Sequence, residues 1–148
     1  MEPMDMANIN ETEPAKRPTF LTVLCILTFI SAGLGCLFSL ITPLVADTFT
    51  DFLQNSPNYD EAKMADTIKL WQAGWGYYAP TFLLVLVSLI GAILMWRSKK
   101  IGFHLYTSSN LALLFIPTLI IGIPISIAAV VVTVGFIIMY AANFKHLS

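Results

Sequence analysis

Tyr106-Thr107-Ser108-Ser109-Asn110 puts five polar side chains in a row inside a stretch, Ile101 to Phe144, that contains no Asp, Glu, Lys or Arg. Hydroxyls and a carboxamide donate and accept hydrogen bonds, but without a neighbouring base they supply no activated nucleophile. Their chemistry is recognition or locking. Asn110 lies nine residues beyond Ile101, about 14 Å along a helix and so near the middle of a bilayer core of about 30 Å. Ser88 and Thr133 fall at a comparable depth in their own apolar runs, as does Thr28. Ser88, Asn110 and Thr133 therefore form a candidate midplane polar cluster. An amide without partners in hydrocarbon costs several kcal/mol, so the cluster either locks helices together or lines a polar path. Ser and Thr have a third outlet, the backbone carbonyl four residues back.

The remaining chemistry-bearing residues are sparse. His104 lies near the start of the last apolar run and His146 just past its end, and an antiparallel hairpin could bring them together. Two histidines with no carboxylate or thiolate beside them make a poor metal or haem site, and no metal or cofactor is expected. Cys25 and Cys36 are eleven residues apart in one run. That is about 16 Å on a helix, beyond the reach of a disulfide. No nucleophile–base pair, metal-ligand spacing or glycine-rich phosphate loop occurs, so no catalytic residue is assigned and no enzyme is expected. Nucleic acid is excluded as a partner by the lack of a basic patch.

The elements that must position these groups follow from how charge is distributed. Hydrophobic residues make up 57% of the 148-residue chain and charged residues 11%, against about 25% charged in an ordinary soluble domain. Residues 18–46, 70–96 and 101–144 carry no Asp, Glu, Lys or Arg. Runs of about 18 or more such residues read as membrane-spanning helices. The expected fold is an all-α integral membrane protein with four transmembrane helices, at about 18–46, 77–96, 101–121 and 124–143. The last run is about 65 Å as one helix, twice what a bilayer accommodates. Pro117, Gly122 and Pro124 are taken to break it at a very tight turn, with a re-entrant hairpin as the alternative. Pro43 is taken to end the first helix.

Within the first span, Thr28, Ser31, Ala32, Gly35 and Ser39 recur at helical spacing and make a small-residue helix-packing face of the kind that admits a second backbone. The basic pair Lys16-Arg17 ahead of an apolar run also describes a secretory signal. Against that, the run continues past Cys36 to Val45, and Gly33 stands where a lipoprotein signal carries a large aliphatic residue. Residues 1–17, with Glu2, Asp5, Glu11 and Glu13, read as a flexible acidic tail.

Residues 47–76 form an amphipathic helical segment between spans 1 and 2. Asn58 with Glu61 suggests a capping box. Met64, Ile68, Trp71 and Trp75 make one apolar stripe, and Phe49, Phe52 and Leu53 a shorter one upstream. The segment either lies on lipid or caps the bundle. "PTFLTVL" at 18–24 and "PTFLLVL" at 80–86 are alike, and a true duplication would make an inverted repeat.

With four spans, one side holds Lys16, Arg17, Arg97, Lys99, Lys100 and Lys145, six of the eight basic residues. Lys63 and Lys69 lie on the other side beside five acids. Cytoplasmic flanks carry the basic excess, so both termini are expected in the cytoplasm and 47–76 outside, in a cell or inner membrane. In span number and loop length the chain resembles small four-span proteins of bacterial inner membranes, a likeness of plan that implies no activity. Two functions fit. One is a non-enzymatic structural or accessory subunit in a homo-oligomer or larger membrane complex, held through the small face of span 1. The other is a small transport or channel component with a polar path near Asn110.

Overall fold

The computed structural model describes residues 18–148, so the acidic segment 1–17 lies outside the described residues. Every regular element among them is helical: α1 Thr19–Gln54, α2 Glu61–Trp71, α3 Trp75–Trp96, α4 Lys100–Ile120 and α5 Ile127–Ala142, then one 3-10 turn, Phe144–His146. α1, α3 and α4 are each long and apolar enough to cross a membrane, whereas α5 is apolar but 16 residues long.

α1 is longer than its sequence suggests. It runs through Pro43 to Gln54. A proline costs a helix one backbone hydrogen bond and crowds the carbonyl four residues back, which here belongs to Ser39. The surroundings outweigh that cost. Thr42 before the proline and Ala46 and Thr50 beyond it are buried, and the Thr50 hydroxyl donates to the carbonyls of Ala46 (2.9 Å) and Asp47 (3.1 Å). On the adjoining side Trp71 of α2 stacks on Phe49 at 4.0 Å and meets Phe38 edge-on at 6.4 Å. The stripe at Phe49, Phe52 and Leu53 is thus the end of α1 and not a separate surface piece.

α2 starts at Glu61, and its cap is Asp60, whose carboxylate accepts from the Ala62 N–H at 3.1 Å. Asn58 is not the cap. Asp60 also pairs with Lys63 at 3.1 Å, an exposed contact worth little. The apolar stripe ends at Trp71, because Gly74 turns the chain at φ +68° and Trp75 opens α3. Only left-handed backbone reverses direction so sharply there, and glycine adopts it without strain.

α3 and α4 form the tightest pair. A Cβ built on Gly102 would lie 2.5 Å from the Gly91 carbonyl oxygen and 2.6 Å from the Met95 nitrogen, and one on Gly91 would lie 2.7 Å from the Tyr106 nitrogen. Backbone meets backbone there. The turn between these helices closes with the Ser98 N–H on the Met95 carbonyl (2.9 Å) and the Lys99 N–H on the Leu94 carbonyl (2.8 Å). That is a Schellman stop with Ser98 at φ +61° in the place glycine usually takes. Left-handed backbone costs an L-residue about 1–2 kcal/mol, partly offset by glycine's greater freedom in the unfolded chain. Ser98→Gly is therefore expected to stabilise the fold by up to about 1 kcal/mol, read as a higher thermal midpoint in mild detergent.

Between α4 and α5 the break comes at Gly122, with φ +76°. Pro117 stays inside α4. The connection spans residues 121–126 and is wider than a tight turn. The Thr118 hydroxyl holds it by donating to the Ile123 carbonyl at 2.8 Å.

At the basic end, Leu21, Leu24, Cys25, Met95, Tyr106, Tyr140 and Leu147 form the core cluster. The Ser148 N–H donates to the Ser98 carbonyl at 2.6 Å and the Lys100 N–H to the Ser148 backbone oxygen at 3.0 Å, which docks residues 147–148 on the α3–α4 turn. Elsewhere burial is inverted relative to a soluble protein. Thr28, Ala32, Ser39, Thr42 and Ser88 are inside, while Leu44 is 73% exposed and Leu119 and Ile127 are each 80% exposed.

Candidate functional site

The polar run on α4 has several separate outlets. Ser108 bonds back to the His104 carbonyl, and Ser109 to the carbonyls of Leu105 (2.7 Å) and Tyr106 (3.0 Å). Such bonds hide the hydroxyls within the helix itself. Thr107 is different, its hydroxyl oxygen being buried without a hydrogen-bond partner among the described residues. Asn110 reaches out of its helix. Its amide nitrogen donates to the Ser88 hydroxyl of α3 at 2.7 Å and to the Tyr106 carbonyl at 2.8 Å.

Of the midplane candidates, Ser88 and Asn110 are therefore in direct contact. Thr133, on α5, is not bonded to either, but it lines the same crevice as Asn110, an opening of about 390 Å³ between α1, α4 and α5. Thr28 belongs to another bond. Its hydroxyl meets the Tyr140 hydroxyl at 2.7 Å, and the Tyr106 ring packs edge-on against Tyr140 at 4.9 Å. Of the two, Tyr106 lines the crevice, and Tyr140 is buried behind it. Tyr140 escaped sequence reasoning because a tyrosine in an apolar run looks like core or interface, and only the three-dimensional pairing brings its hydroxyl to Thr28.

The small-residue face of α1 is occupied within the chain. Thr28, Ala32 and Ser39 are buried, and a Cβ on Gly35 would touch Val85 of α3 at 3.4 Å. Ser31 departs from this face. It is exposed, lines the crevice and donates to the Thr28 carbonyl at 3.1 Å, since at 3.6 residues per turn it sits about 60° round from Thr28. The face also continues through Thr42, Ala46 and Thr50. Within the chain the face meets α3 at Gly35 and Tyr140 of α5 at Thr28.

The basic end is aromatic and cationic. His104 packs edge-on to Phe103 and Phe144, and the Lys100 ammonium lies 5.7 Å from the Phe144 ring centre. His146 is exposed on the 3-10 turn. Among the described residues no group of three or more His, Cys, Asp or Glu side chains is placed to hold a metal. At the other end a second crevice, about 310 Å³, is bounded by Asp66, Tyr77, Pro117, Pro124 and Ser126. Comparison with known protein families, curated proteins and solved structures finds no match.

Proposed function

We propose that this chain is an integral membrane protein that crosses the bilayer four times and acts as a non-enzymatic structural or accessory subunit. The reading places both termini on the cytoplasmic side. The inverted burial pattern carries it: small and hydroxylated residues fill the helix contacts, and Leu, Ile and Phe form the outer surface. Water makes so extensive an apolar exterior costly, and hydrocarbon does not. α5 supplies about 24 Å of helix at 1.5 Å per residue, and the flanking residues 123–126 and 143–144, free of charge, lengthen the apolar segment.

Locking is favoured over conduction by the way the polar run is used. Both amide hydrogens of Asn110 are directed at partners within the bundle, and Ser108 and Ser109 bond to their own helix. Interhelical hydrogen bonds in membranes average about 0.6 kcal/mol each. Asn110→Leu is expected to lower stability by about 1 kcal/mol while leaving ion and small-solute flux across proteoliposomes at the wild-type level. Wild-type flux that Asn110→Leu abolishes would favour the transport reading and remove this one.

A further inference from the structure

We propose that the crevice between α1, α4 and α5 binds a bilayer-dissolved alcohol or phenol, an apolar molecule with one hydroxyl, between Asn110 and Thr133. The Tyr106 carbonyl can only accept, so the Asn110 nitrogen is the atom that faces it at 2.8 Å, and the same nitrogen meets Ser88 at 2.7 Å. Both amide hydrogens are thereby engaged, and the Asn110 carbonyl oxygen has no donor among the described residues. Across the crevice the Thr133 hydroxyl has no hydrogen-bond partner among the described residues, not even a carbonyl of its own helix. One wall thus offers a free acceptor and the other a hydroxyl that both donates and accepts. A hydroxyl ligand matches the pair, donating to the Asn110 oxygen and accepting from Thr133. A ketone or an ether satisfies only Thr133. Leu27, Ile30, Val132 and Phe136 supply apolar walls, and the volume of about 390 Å³ falls within the range of small-molecule sites.

The site rests on the bilayer-spanning reading above, so two measurements separate the two. The full chain is reconstituted in phosphatidylcholine nanodiscs and photolabelled with a diazirine-bearing alkylphenol or with its methyl ether. The phenol is expected to label peptides around Asn110 and Thr133, with the ether about fivefold weaker or less, the difference one hydrogen bond makes. Asn110→Leu is expected to remove the preference, and so is Thr133→Val, a near-isosteric change that spares the fold. Equal labelling by phenol and ether, or labelling spread over the outer sides of α1 and α3, overturns the proposal. The spanning reading is judged separately, by whether the protein stays with vesicles after an alkaline carbonate wash.

Discussion

Gly102→Ala is expected to destabilise the protein by about 2 kcal/mol, although it adds a single methyl group and alanine is the better helix former. The added carbon would sit 2.5 to 2.8 Å from the Gly91 carbonyl oxygen, the Met95 nitrogen and the Leu94 Cβ. Two of these are backbone atoms that no rotamer change can move, so the helices themselves must separate. Overpacking of this kind costs about 1–3 kcal/mol and occasionally more, against which the better helix propensity returns up to about 1 kcal/mol. The clash wins. Gly91→Ala is expected to behave alike for the same reason. Gly33→Ala provides the contrast, because nothing lies within 4 Å of a Cβ at that position, and the propensity gain then stands alone. Unfolding midpoints of the three variants in one detergent give the comparison.

Tyr140→Ala is expected to cost more, about 3–5 kcal/mol, the range for truncating a large buried aromatic. Tyr140 is fully buried and is the one residue of α5 in that class. It holds Thr28 of α1 through its hydroxyl and Tyr106 of α4 through its ring. The rest of α5 leans on the bundle lightly, with Val131 and Ile138 both more than 60% exposed. Loss of this anchor should therefore be felt unevenly. Hydrogen exchange is expected to speed up along α5 while the α3–α4 pair keeps its protection. Tyr140→Phe removes only the hydroxyl contact and should cost about 1 kcal/mol.

Much of the helical plan was legible from the charge-free runs. α3 and α4 begin and end within two residues of where hydropathy and the Arg97–Lys100 cluster put them. The errors came where a distant contact decided a local contest. Pro43 reads as a stop because its local cost is plain in sequence, whereas the burial of Thr42, Ala46 and Thr50 and the Trp71–Phe49 stack that carry the helix through it are not. Asn58 and Asp60 are both competent caps, and the choice between them depends on how the chain leaves α1.

The Gly91–Gly102 contact left no periodic mark. One glycine among three in each of two runs means nothing until the turn at Ser98 folds them face to face. The stripe on α1 was visible as a pattern of small residues, but a pattern does not say whether its partner is α3 or another chain. The polar run on α4 stood out by composition, yet its sorting into back-bonded serines, a bridging Asn110 and an orphaned Thr107 is a matter of rotamers and neighbours.

The central claim is that hydrocarbon solvates four helices here and that the basic end faces the cytoplasm. Single cysteines introduced as Ser56→Cys and Lys145→Cys, in a background carrying Cys25→Ala and Cys36→Ser, test it with a membrane-impermeant maleimide on intact cells. The four-span arrangement predicts that position 56 is labelled at once and position 145 only after the membrane is permeabilised. Labelling of both positions from outside would mean that α5 does not cross, and would contradict the account.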